Sequence, residues 1–354
     1  MAIRRLRPIQ DTFIVENSSN ASFGSDEILE LGCSVRPDSK GCSRILIEFM
    51  VNEVEKLLGR HNLIRATLNL KYAYAENLPP VWGFDVTEIG SEWAEGQGHV
   101  NDFPGSRDGA SWFKPKGFEK DEYWVGGIDP AYEDDYIWKH EYQTGYQADR
   151  DVCIDVTEWV YSWLKGPGKG LGFLIKLANE EMLEELRTRI CFYSGKTHTI
   201  YKPYLELIFD DTKVEGDTEN PIDDPAELNE LYVDAEDLEP SHYIGEKFRV
   251  NVLARPKFPK RVFSTKSLYS NPKRYVPNLR WGIRDEHTGE ILVGFHKSGT
   301  KCSFDSNGNY FILDTDLLEP ERYYRLLFEV EKPGKFRKVY DSKNIFRVTK
   351  HGEI

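Results

Sequence analysis

Residues 64–75, Ile-Arg-Ala-Thr-Leu-Asn-Leu-Lys-Tyr-Ala-Tyr-Ala, put an apolar side chain at every second position. Ile64, Ala66, Leu68, Leu70, Tyr72 and Tyr74 share one face of an extended chain, and Arg65, Thr67, Asn69 and Lys71 start the other. A period of two fits a half-buried β-strand and does not fit a helix, which repeats about every 3.6 residues. Segments of strand character recur at 11–15, 28–32, 43–51, 79–89, 169–178, 189–196 and 201–211, and again at 242–255, 321–332 and 336–350, with hairpins at 276–295 and 302–315. Turn chemistry separates them: the Asn/Ser/Gly run 16–27, Pro79-Pro80, and Asn307-Gly308, a dipeptide suited to a type I′ hairpin. Two stretches break the rhythm. Residues 152–165 begin as a strand and then space Val156, Trp159, Val160 and Trp163 as a helix does, and 51–62 allow a turn or two of helix. The expected class is all-β. Hydrophobic residues at 40% and aromatics at 13% supply enough apolar surface for buried cores.

Composition divides the chain. Residues 210–240 hold thirteen acids against one lysine, with Pro221, Pro225 and Pro240, and read as an acidic linker over 212–240 that carries a short helix. Residues 1–211 form one β-sandwich. Residues 241–354, about seven alternating strands over roughly 110 residues, describe an immunoglobulin-like sandwich. Residues 1–209 carry 33 acids and 23 Lys/Arg, whereas 241–354 carry a net +9, which suggests docking of unlike-charged surfaces. The basic residues are not clustered as a nucleic-acid motif requires, so no nucleic-acid partner is expected. No run approaches the ~20 apolar residues of a membrane span. Residues 1–8 are basic without an apolar stretch behind them, so no secretion signal is expected and synthesis is placed in a cytosol. Cys33, Cys42, Cys153, Cys191 and Cys302 lack zinc-type spacing and are expected as free thiols, although Cys33 and Cys42 lie close enough to pair across a turn.

Chemistry-bearing motifs are few. "SEWAEGQG" (91–98) reads as scaffolding: Trp93 plugs an end of the sandwich, Gly96 and Gly98 supply turns, and Glu92 and Glu95 tie backbone N–H groups or an arginine. Calcium ligation and a glycosidase-type carboxylate pair, which needs two acids roughly 5–10 Å apart across a sugar, are the alternatives. "DSNGN" (305–309) has its glycine at the wrong place for a calcium loop and reads as a hairpin. "GPGKGLG" (166–172) lacks Gly-Lys-Ser/Thr and precedes a strand, so it reads as a turn. The eight histidines show no metal-binding spacing; His99 and His140 lie in the long insertion at about 93–150. No nucleophile elbow is present, and the expectation is a protein that is not an enzyme, with no cofactor, no metal and no catalytic residues. The insertion crowds aromatics together, and Trp112, Trp124, Tyr132, Trp138 and Tyr142 are its candidate interface or ligand-binding residues. They fill a satellite core, anchor a protein interface or stack on sugar rings.

Several of these segments follow one another in an order that resembles the DNRLRE family of jelly-roll-like, carbohydrate-binding-module-like β-sandwiches. They are "DTFI", "ILELG", "SRILIEF", "IRATLNL", "WGFDVTEIGSEWAEGQG", "GASW", "IDVTEWVYSW" and "FYSGKTHTIYKPYLELIF", spanning about residues 8–210. The chain departs from that pattern in its long insertion, its second domain and the lack of a signal peptide. "GNYFILDTDLLEPERYYRLLFEVE" (308–331) resembles Ig-like domains of tailed-phage particles. The resemblances imply a virion structural protein of the tail, baseplate or neck, made in the host cytoplasm, that binds other virion proteins and copies of itself. The alternative they leave is an adhesion protein recognising a cell-surface glycan.

Overall fold

The structure, a computed structural model, describes residues 3–18, 20–33, 41–50, 62–79, 81–100, 107–117, 123–124, 139–144, 151–165, 170–178, 180, 187–215, 221–258, 274–331 and 337–350. Strand accounts for 51% and helix for 8%, so the fold is all-β, built of antiparallel sheets, as the alternation requires. The chain divides into two compact units. One holds Arg5–Arg60 and Arg65–Leu207; the other holds Met1–Arg4, His61–Ile64 and Ile208–Ile354. We call them the N-terminal and C-terminal units. No helix among the described residues is long and apolar enough to cross a membrane.

The strands β1 (Ile3–Leu6), β2 (Pro8–Val15), β3 (Ile28–Cys33), β4 (Cys42–Phe49), β5 (Asn62–Leu70), β6 (Tyr72–Glu76), β7 (Val81–Glu88), β8 (Lys139–Thr144), β9 (Val152–Asp155), β10 (Phe173–Leu177), β11 (Arg189–Tyr193) and β12 (Tyr204–Asp210) form two sheets. The smaller runs β1-β12-β5-β9. The larger runs β6-β11-β3-β4-β10-β7-β8, with β2 also paired to β4. Strands β4 and β10 are buried at nearly every position, so both faces of the larger sheet's centre are covered. Register separates those faces. Phe13, Ile45, Ile175 and Val86 align on one. Thr12, Leu46, Leu174 and Thr87 align on the other, where Lys176 and Asp85 also pair. The first face is apolar core. The second is mixed, with Thr12, Arg44, Asp85, Thr87 and Lys176 all buried. Helix α1 (Thr157–Lys165) sets Trp159 and Trp163 against Phe173, at 5.9 and 4.7 Å between ring centroids, as its 3–4 spacing predicts.

The C-terminal unit contains helix α2 (Pro225–Asn229) and strands β13 (Leu231–Glu236), β14 (Ser241–Tyr243), β15 (Lys247–Pro256), β16 (Leu279–Asp285), β17 (Ile291–Val293), β18 (Ser303–Asp305), β19 (Gly308–Asp314), β20 (Arg322–Glu331), β21 (Arg337–Tyr340) and β22 (Ile345–Thr349). One sheet runs β13-β15-β19-β18. The other runs β14-β22-β20-β16-β17, with β21 also on β20. Its core joins Val250, Val252 and Phe311 of the first sheet to Trp281, Tyr324, Phe328 and Phe346 of the second. Trp281 stacks on Phe311 at 4.8 Å. The Asn307-Gly308 tip closes the β18–β19 hairpin, with Gly308 at φ +103°.

Three local expectations change. The single strand read over 64–75 is two, and they join different sheets: β5 the smaller, β6 the larger. Alternation reports an extended chain, and a chain that crosses between sheets stays extended, so the periodicity runs through Lys71 without a signal. Part of the acidic linker is a strand. Leu231 and Val233 of β13 are buried in the C-terminal core and pair along β15 from Leu231↔Pro256 to Glu236↔Asn251. The exposed Tyr232 between them and the flanking acids Glu230, Asp234 and Glu236 mask a two-residue alternation. Cys33 and Cys42, expected as free thiols, are bonded as a disulfide between β3 and β4, where the register sets them opposite each other. The helical turn read over 51–62 lies outside the described residues, apart from Asn62 in β5.

Candidate functional site

The 91–98 loop knits three segments of the N-terminal unit together. Trp93 is buried, and its Nε1 donates to the Leu171 carbonyl at 2.9 Å. Gly96 has φ +79°, and a Cβ there would meet Ser22 Oγ at 2.6 Å and Gly109 Cα at 2.8 Å. The glycine is needed for both its conformation and the close approach. Gly98 contributes through its carbonyl, which accepts from Ser25 N–H at 3.1 Å. Asp108 Oδ1 accepts from Ser22 Oγ and Gln97 N–H, and Asp26 Oδ2 accepts from Val100 N–H.

The two glutamates of the motif point to separate tasks. Glu92 pairs with Lys116 at 2.8 Å and is largely exposed. Glu95 is mostly buried; its Oε1 accepts the Asp11 N–H at 2.9 Å and its Oε2 pairs with Lys196 Nζ at 2.7 Å. Asp11, only 2% exposed, in turn accepts the Gly195 N–H at 2.6 Å. So β2, the 91–98 loop and the turn after β11 are held by one chain of contacts, from Gly195 through Asp11 to Glu95 and Lys196. Burial pushes the Asp11 carboxyl up to about 6; the Gly195 N–H opposes that, Glu95 adds to it, and Lys196 and Lys202 offset part of it. Burial also raises Glu48, against the hydrogen bond from Gln10 Nε2. The motif itself suggests that one of its glutamates ties a backbone N–H, and Glu95 does. Asp11 carries no comparable signal, because an aspartate in an alternating strand reads as a solvent-facing residue.

The insertion places its candidate residues unevenly. Trp112 is 2% exposed and lies under the Arg44 guanidinium, 4.7 Å from its ring centroid. Trp124 is 8% exposed, and its Nε1 donates to the Ser111 carbonyl at 3.0 Å. Both fill a core of the insertion and leave almost no surface for a sugar or a partner. Tyr142 lies in β8, opposite Gly83 of β7. Tyr132 and Trp138 lie outside the described residues. Among the insertion's described residues, Phe113 at 45% and Tyr123 at 64% face out, the latter with Lys114 Nζ 5.3 Å from its centroid.

Arg44 is a site residue that sequence reasoning misses. It is buried on the mixed face of the larger sheet and donates through Nε and Nη2 to the two oxygens of Glu180, at 3.1 and 2.7 Å. A positively charged residue directly before the apolar run Ile45-Leu46-Ile47 is the available signal. Of "GPGKGLG", residues 166–169 lie outside the described residues; Gly170 at φ +67° and Gly172 at φ +104° directly precede β10. No family model matches the chain, and no curated protein matches it.

Proposed function

We infer that the protein is a non-enzymatic structural component of a tailed-phage particle, in its tail, baseplate or neck. Its sandwiches hold loops rigid so that those loops bind neighbouring subunits and further copies of the chain. The observation that carries this reading is how the signature's Glu95 and its neighbour Asp11 are used. Glu95 and Asp11 bind the backbone of two other segments, which is the work of a scaffold. The C-terminal unit adds support for an Ig-like module. Its β13-β15-β19-β18 and β22-β20-β16 orders follow the A-B-E-D and G-F-C orders of Ig sandwiches. Tyr324, fully buried, donates its hydroxyl to the Glu319 carbonyl at 2.6 Å, five residues upstream, as a tyrosine corner does. The two sheets formed by β1 to β12 suit the jelly-roll-like reading. Fold likeness carries no function by itself.

Mass spectrometry of purified particles tests the inference. The chain is expected there at a fixed copy number relative to the other particle proteins, and its absence contradicts the reading. A second reading, glycan adhesion, is favoured by the outward Phe113 and Tyr123. It predicts glycan binding by the isolated protein that Tyr123→Ala abolishes.

A further inference from the structure

The sequence holds no zinc-type cysteine spacing, yet the fold assembles a ligand set that spacing does not reveal. The Sγ atoms of Cys33 and Cys42 and a carboxylate oxygen of Glu180 all lie within 4.8 Å of one another. We propose that, with its disulfide opened, this group is a binding site for a thiophilic divalent cation of the zinc type, and that metal and disulfide are alternative occupants of one site.

The geometry is close to what such an ion needs. Tetrahedral Zn²⁺ with sulfur at ~2.3 Å and oxygen at ~2.1 Å separates its ligand atoms by roughly 3.5 Å, so small side-chain rotations suffice. The two cysteines sit opposite each other on β3 and β4, and both are buried, at 0% and 5% exposure. Glu180 is the half-open side of the group, which leaves the fourth coordination position to water. Charge balances as well. Two thiolates and one carboxylate against a divalent cation leave −1, and the Arg44 guanidinium on Glu180 makes the cluster neutral. An uncompensated charge at this depth would be costly. Arg44 also orients the carboxylate, as outer partners of metal ligands do, and its other side rests on the Trp112 ring.

The chemistry closes. A dithiol reductant supplies two electrons and two protons to the Cys33–Cys42 bond and becomes a disulfide itself. Metal binding then displaces the two thiol protons into solvent.

The test uses the full chain carrying Cys153→Ser, which removes the exposed free thiol and leaves Cys191 and Cys302 buried. Oxygen-free protein treated with a dithiol reductant, then freed of it, is titrated with Co²⁺, and Zn²⁺ is used to displace it. The expected result is one equivalent bound, with thiolate-to-cobalt charge-transfer absorption, two protons released per ion, and no binding by the oxidised protein. Glu180→Gln is expected to weaken binding by about 10–100-fold, in line with the loss of a ligand or its support, while circular dichroism stays unchanged. Cys33→Ser is expected to abolish the absorption. A folded protein that resists reduction, binding without the charge-transfer band, or equal affinity in Glu180→Gln overturns the proposal.

Discussion

The two units treat buried acids in opposite ways. In the N-terminal unit, burial dominates: it lifts the Asp11 carboxyl to about 6 and raises Glu48. In the C-terminal unit, arginines win. Burial works to raise Asp285, but Arg322 and the N–H groups of Thr288 and His287 hold it below the usual carboxylate range. Among the unit's partly exposed acids, Arg280 lowers Glu331, and the Lys343 N–H with Arg325 outweighs burial at Asp341. These partners form a ladder across β16, β20 and β21, in which Arg280 pairs with Glu329 and Glu331, and Arg325 with Glu286 and Asp341. Asp314 is the unit's exception: it is wholly buried beside Lys247, and burial raises it. The lesson is that similar sandwiches can carry opposite pH responses, set by whether burial outweighs the arginine and N–H bonds that a carboxyl receives.

The largest expected effects remove one member of a buried arrangement in each unit. Arg280→Ala leaves Glu329 buried without its partner and is expected to cost the C-terminal unit about 3–5 kcal/mol in denaturant unfolding. The double variant Arg280→Met with Glu329→Leu is expected to recover most of that loss. If the single and double variants unfold alike, the pair is not what holds this face. Trp93→Ala is expected to cost the N-terminal unit a similar ~3–5 kcal/mol, by emptying the plug between the 91–98 loop and Leu171. Hydrogen exchange should show the loss confined to the N-terminal unit.

A middle-sized effect sharpens the contrast. Asp285→Asn is expected to cost about 1–3 kcal/mol at pH 7, because it loses charge-assisted bonds to Arg322. The Asp285 carboxyl is lowered in the fold, so its contribution is present above its unfolded value near 4 and fades as pH falls through the lower folded value. The variant and the parent should converge at low pH. At the small end, Glu92→Ala removes an exposed pair with Lys116 and is expected to shift stability by less than about 0.5 kcal/mol. A larger shift would give Glu92 a role that Glu95 has here.

Much of the fold is legible in the amino-acid sequence. Ile45, Ile47 and Phe49 share a face in "SRILIEF", and Asn307-Gly308 marks a hairpin that forms between β18 and β19. Pairing is not legible, because residues 64–75 keep one alternation while β5 and β6 part to different sheets. The strand Leu231–Glu236 is hidden by the acids Glu230, Asp234 and Glu236 that surround its buried Leu231 and Val233. The site is half legible. The glycines and Trp93 announce a tight loop, since only close packing calls for that composition. Arg44, Glu180 and the two cysteines lie on segments up to 147 residues apart, and only register brings them together. Trp112 and Trp124 are buried, and the sequence does not show it because aromatic content does not distinguish a satellite core from a surface.

The difference in unfolding free energy between Asp11→Asn and the parent protein, followed from pH 4 to pH 8 in the N-terminal unit, tests the contrast most directly. Asparagine keeps an acceptor for the Gly195 N–H and removes the buried charge. Because the folded Asp11 value near 6 lies above its unfolded value near 4, its favourable contribution is complete below pH ~4 and is lost as pH rises through about 6. The account predicts no difference at pH 4 and a variant more stable by about 2–3 kcal/mol at pH 8. A variant that is less stable at pH 8, or a difference that does not change with pH, would contradict it.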